Sequence, residues 1–136
     1  MSYKSLIYTA NTTPLTVAVG GSVPVGSIIR RYGNGLFANG YAINITETGY
    51  YLVDFNALFG GTAGDVKFNV LVNGLPIQGA TAETTIATAD TQIRSVAINT
   101  VVRVNCCAGA NVSVVIDAES TSTPTIQSAA FRVVKV

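Results

Sequence analysis

The stretch GYYLVDFNALF, residues 49–59, decides the fold. Tyr51, Val53, Phe55, Ala57 and Phe59 share one side; Tyr50, Leu52, Asp54, Asn56 and Leu58 share the other. Alternation of period two is the mark of a β-strand, whose successive side chains point to opposite faces. The first side is wholly apolar. The second keeps Tyr50, Leu52 and Leu58 among its polar residues. A strand that is apolar on both faces is covered on both.

The same alternation continues on either side of this stretch. Val66, Phe68, Val70 and Val72 alternate with Lys67, Asn69 and Leu71. Val112, Val114, Ile116 and Ala118 alternate with Ser113, Val115 and Asp117, and Tyr41, Ile43 and Ile45 with Ala42, Asn44 and Thr46. Gly20-Gly21, Gly33-Asn34-Gly35, Asn39-Gly40, Gly60-Gly61, Asn73-Gly74 and Gly109 punctuate these runs. Asn and Gly tolerate positive φ, so the pairs Asn39-Gly40 and Asn73-Gly74 are predicted hairpin turns. The spacing predicts strands near 4–9, 14–19, 22–31, 41–46, 49–59, 65–73, 92–99, 101–107, 111–118 and 127–135. Residues 80–89 are predicted to be a loop or an irregular strand, because their Thr residues leave no apolar stripe. About ten antiparallel strands without helices make an all-β sandwich or barrel. No linker or internal repeat divides residues 1–136, which read as a single domain; residues 1–13 are either an N-terminal arm or its first strand.

Composition excludes whole classes of function. The chain has 136 residues and no His, which removes Ser-His-Asp triads, Cys-His dyads and His-ligated metals together. A net charge of +1 lacks the basic face that nucleic acid requires. The uncharged residues 5–29 are interrupted by Asn, Pro and Gly, so no run approaches the roughly 20 apolar residues of a spanning helix. No membrane partner is expected. The first residues hold no apolar run of the roughly 7–15 residues that a signal peptide needs. The expectation is a chain that starts at its own Met and is made in a host cytoplasm. Hydrophobic residues nevertheless reach 49%, more than one small core takes up, and a neighbouring copy of the chain is the simplest cover for the excess.

Chemistry-bearing constellations are sparse. There is no Gly-x-Ser-x-Gly elbow, no P-loop and no dinucleotide-binding fingerprint. Glu47 and Asp54 are the nearest acidic pair, and they read as solvated or interface carboxylates. Asp65 and Asp90 are loop acids whose bland role is turn chemistry. Cys106-Cys107 read as reduced, small hydrophobes, since a bond between sequence neighbours strains disulfide geometry. No catalytic residue, cofactor or metal is expected, and the chain is read as a non-enzyme.

Four segments carry a family resemblance. NITETGYYLVDF (residues 44–55) resembles a strand, a Gly-x-Tyr at Gly49 and Tyr51, and a second strand. FNVLVNGLPIQGA (residues 68–80) resembles a strand and Asn-Gly followed by Gly-Ser, with Ala80 in place of the Ser. VVRVNCCAGANVSVVI (residues 101–116) resembles an Ala-Gly-Asp before a strand, with Ala110-Asn111 replacing the Asp, and AAFRVVKV (residues 129–136) resembles the closing strand. In this order the segments resemble the C1q/TNF-like jelly-roll family, in its bacterial and phage branch. The resemblance implies a jelly roll of ten strands and a tight homotrimer, used in virion, spore-coat and extracellular recognition modules. The Gly-x-y stalk of many members is absent from this sequence.

The functional expectation is therefore a structural and interaction protein. It is a homotrimeric component of a phage virion surface, a capsid decoration or head-fibre protein, whose partners are its own copies and other virion proteins. The alternative is the receptor- or carbohydrate-binding head of a fibre or spore-surface protein, with a host-surface glycan as partner. Tyr50, Leu52 and Val134 are the candidates for the trimer interface. Tyr3, Leu6, Ile7 and Tyr8 are the candidates for an attachment arm.

Overall fold

A computed structural model describes residues 4–87, 93–105 and 109–136. Eleven strands run through them in the order β1 (Leu6–Asn11), β2 (Leu15–Thr16), β3 (Ser27–Tyr32), β4 (Leu36–Asn39), β5 (Ala42–Ile45), β6 (Gly49–Gly61), β7 (Gly64–Val72), β8 (Leu75–Ile86), β9 (Arg94–Val104), β10 (Ala110–Ile116) and β11 (Pro124–Lys135). The first sheet has the order β3-β1-β11-β6-β9, with β2 added to β11, and the second has the order β4-β5-β10-β7-β8. Every strand pairing is antiparallel. Two such sheets face to face form a jelly-roll sandwich, the expected fold class.

The alternation read in residues 49–59 sets the inside. Tyr51, Val53, Phe55, Ala57 and Phe59 are buried, while Tyr50, Leu52 and Leu58 are exposed on the other face of β6. Phe55 lies with its ring centroid 4.9 Å from Phe131 and 5.8 Å from Phe68; Phe59 lies 5.0 Å from Phe68. Phe68 belongs to the second sheet and the other three to the first, so the two tilted pairs that include Phe68 fasten the layers to each other. The Tyr51 hydroxyl donates to the Glu47 carbonyl at 2.8 Å, which satisfies the polar end of a buried ring. Burial, and then the Glu47 carboxylate, push that phenol above its ordinary pKa.

Turn chemistry works where Asn and Gly meet. Asn73 (φ 52°) and Gly74 (φ 81°) form the two-residue loop between Val72 and Leu75, and positive φ at both positions is what such a loop demands. Asn39 instead ends β4, and Gly40 with Tyr41 makes the loop to Ala42.

Several boundaries differ from those predicted. The strand near 14–19 shrinks to β2, because the chain leaves the first sheet after Val17. The strand near 22–31 begins only at Ser27. Before it, Val23 and Val25 are core residues whose amides bond to Val114 and Gly40 of the second sheet. Gly26 (φ 82°) then turns the chain toward the first sheet so closely that a Cβ would sit 2.3 Å from the Ala10 carbonyl oxygen. The strands predicted at 92–99 and 101–107 are one strand, β9. Within it, Val96, Ile98, Val102 and Val104 continue a single inward row through Thr100. β8 covers most of the stretch predicted to be a loop or an irregular strand and decides for the strand: Ala80, Ala82, Thr84 and Ile86 turn inward, but small and polar side chains hide the alternation. β4 went unread because it is only four residues long between glycine turns.

The segment expected as an arm or a first strand holds β1, which pairs with β11 on one side and β3 on the other. Ile7 of this strand is fully buried. Tyr3, Asp90 and the two cysteines lie outside the described residues.

Candidate functional site

The outer face of the first sheet is the candidate interaction surface. Cross-strand register sets its side chains in rows. One row runs Tyr32, Leu6, Val134, Leu52, Val101 across β3, β1, β11, β6 and β9. Of these, Tyr32 is 67% exposed, Val101 54% and Leu52 43%. Tyr50 extends the apolar surface along β6, and Leu58 is exposed on the same face beyond Asp54 and Asn56. Arg103, opposite Tyr50, carries its guanidinium 5.8 Å from that ring's centroid, a cation–π distance.

The next row is polar: Arg30, Tyr8, Arg132, Asp54, Asn99. Arg132 Nε donates to Asp54 Oδ2 at 2.9 Å, and Nη2 donates to the same oxygen. An open groove of about 450 Å³ follows this row, lined by Tyr8, Arg30, Arg132, Asp54, Asn56 and Asn99, with Leu6 and Ala130 beside them and the core ring of Phe131 below.

The outer face of the second sheet is of a different kind. Thr81 Oγ1 donates to Asn69 Oδ1 at 3.0 Å, Asn69 Nδ2 donates to Asp117 Oδ2 at 2.7 Å, and Lys67 Nζ stands 4.0 Å from that carboxylate. The Glu119 backbone N–H and then the Asn69 amide hold the Asp117 carboxyl below its ordinary pKa against a smaller opposing effect of burial, and Lys67 adds the least. Asn44 Nδ2 donates to Asn111 Oδ1 at 2.7 Å farther along the same face. This face joins its polar groups in a linked network, although Phe37 opposite Asn44 is also exposed; the first sheet instead lines its apolar groups up in one row.

Each site residue read from the sequence, apart from Tyr3, which lies outside the described residues, now has a place. Tyr50, Leu52 and Val134 share the outer face of the first sheet, with Leu52 directly opposite Val134. Leu6 joins them in the same row and Tyr8 lies in the row beside it, while Ile7 points into the core. The acidic pair is separated by its partners: Asp54 binds Arg132, and Glu47 lies 3.5 Å from Lys135 Nζ. Asp65 accepts a hydrogen bond from the Thr85 hydroxyl. No group of three or more His, Cys, Asp or Glu suited to a metal occurs among the described residues. Sequence reasoning missed Tyr32 and Val101, which complete the apolar row. The signal available was the run SIIRRY, whose large apolar residues flank the basic pair Arg30-Arg31.

No family model matches the chain, and no curated protein matches it. Solved structures do share its fold. Murine APRIL aligns over 98% of this chain and 100% of its own with a TM-score of 0.65 at 17% identity. The globular domain of zebrafish complement 1qA covers 97% of this chain and 95% of its own at a TM-score of 0.60 and 12% identity. The PRD1 vertex protein P5 covers 96% and 95% at a TM-score of 0.58 and 11% identity. The fold is thus a C1q/TNF-like jelly roll.

Proposed function

We propose that this chain is a structural and interaction protein that assembles as a homotrimer on the surface of a phage particle, as a capsid decoration or head-fibre protein. The observation that carries the self-association is the apolar row Tyr32, Leu6, Val134, Leu52, Val101 on an otherwise uncovered sheet face. Covering that row removes large apolar groups from water, which is the main favourable term in association. A second copy of the chain supplies the cover. The family resemblance, which implies homotrimers, supports the number three. The vertex protein among the similar folds supports the particle surface as the setting. Within the groove Tyr8 is the aromatic ring lying outside the core, too little stacking surface to favour a sugar-binding head over an assembly face.

Two measurements test this reading. Chemical crosslinking of the pure protein should give a ladder that stops at three chains. Antibodies raised against the protein should decorate intact particles in the electron microscope. A ladder that stops at one chain removes the trimer, and particles that remain bare remove the virion setting.

A further inference from the structure

Three Asn-Gly pairs occur in the chain: Asn34-Gly35, Asn39-Gly40 and Asn73-Gly74. Such a pair is chemically labile. Once the glycine backbone nitrogen loses its proton, it can attack the asparagine side-chain carbon Cγ. A bond forms between that nitrogen and Cγ, the bond from Cγ to Nδ2 breaks, and ammonia leaves with the proton that the glycine gave up. The cyclic succinimide left behind takes up a water molecule from solvent and opens to aspartate or isoaspartate. Glycine favours the attack because no Cβ shields its nitrogen. In an unfolded chain the three pairs are chemically alike, so a difference among them comes from the fold.

The fold restrains two of them. Asn73 Oδ1 accepts the Asn111 N–H at 2.9 Å, and the Asn73 N–H donates to the Asn111 carbonyl at 2.8 Å. The carboxamide must give up the first of these bonds before Cγ can meet the Gly74 nitrogen, and a bond of that kind slows the step by about fivefold. Gly35 is buried, and a Cβ on it would stand 2.7 Å from Glu47 Cγ. An amide anion is costly to form where water is excluded. Neither restraint applies at the remaining pair. Asn39 and Gly40 are both exposed, the Asn39 carboxamide has no hydrogen-bond partner among the described residues, and a Cβ on Gly40 would meet nothing within 4 Å.

We propose that Asn39 is a modification site, at which the folded protein converts spontaneously to aspartate and isoaspartate. The site lies in the second sheet, away from the face assigned to assembly. The isoaspartyl product matters to the fold because its main chain runs through the former side chain and is a carbon longer. It falls where Gly40 and Tyr41 close the loop between the paired residues Asn39 and Ala42, and where the Gly40 carbonyl accepts the N–H of the core residue Val25 at 2.9 Å. The hairpin and this tie to the core loosen together.

The test is incubation of the full chain in warm, mildly alkaline buffer, folded and in urea, followed by peptide mass spectrometry that separates aspartate from isoaspartate. In the folded protein Asn39 should react faster than Asn34, and faster than Asn73 by about fivefold or more. In urea the three rates should converge. Asn34 or Asn73 reacting as fast as Asn39 in the folded protein overturns the assignment. So does an Asn39 that persists in the folded protein while the chain in urea reacts. Hydrogen exchange on the isoaspartyl fraction reads the consequence: the Val25 amide should lose protection, and unchanged protection overturns the loosening.

Discussion

Leu52 stands directly opposite Val134 across the β6–β11 pair, both on the side of the sheet that faces away from the core. In a single chain this places Leu52 43% exposed, between Val134 and Val101 in a five-residue apolar row. Such a position costs the fold little and matters to whatever covers the sheet.

Leu52→Asp should therefore separate assembly from folding. The single chain tolerates a surface Asp within about 0.5 kcal/mol. A trimer that must bury the carboxylate does not tolerate it. Light scattering should show single chains or aggregate, with native circular dichroism. An unchanged trimer with an unchanged melting temperature would mean that Leu52 is not at a seam.

Thr9 offers a test inside the core. Its side chain is fully buried next to the register shift between β1 and β3, and Oγ1 has no partner among the described residues. Replacing a buried, unsatisfied hydroxyl by a methyl of the same shape removes a desolvation cost, so Thr9→Val should stabilise by about 1 kcal/mol. Denaturant unfolding measures this. A loss of stability would reveal a partner for the hydroxyl.

Removal of residues 1–10 should abolish folding. The deletion takes out most of β1, which carries the buried Ile7 and joins β11 to β3. The expected outcome is the absence of a cooperative thermal transition. A truncated chain that still folds and trimerises but no longer binds particles would make this segment an attachment arm.

Asp117 makes stability depend on pH. Its folded pKa is lowered, so its contribution is fully present above the ordinary carboxylate pKa and is lost as pH falls through the lowered value. Asp117→Asn should lower the melting temperature at neutral pH and flatten the decline on acidification. Superimposable acid slopes for the two proteins would contradict the role given to the Glu119 N–H and Asn69.

Much of this was legible before the structure. Residues 49–59 announced a long strand because every second residue from Tyr51 to Phe59 is apolar without exception, and β7 and β10 show the same inner row. β8 was hidden because an edge strand needs few large side chains: Ala80, Ala82 and Thr84 suffice to face the core. Residues 22–25 were misread because Val23 and Val25 alternate as a strand does, yet lie along the second sheet before Gly26 redirects the chain. For the candidate site, Tyr50, Leu52 and Val134 could be named from their strands alone. Their union with Leu6, Tyr32 and Val101 could not, because it depends on the strand order β3-β1-β11-β6-β9, which no local pattern encodes. The same order puts Arg30 beside Tyr8 and in line with Arg132, far apart in sequence.

The most direct test is the mass of the pure protein in solution by sedimentation equilibrium at micromolar concentration. Assembly through the outer face of the first sheet predicts three times the chain mass of 14.1 kDa. A single-chain mass would contradict it.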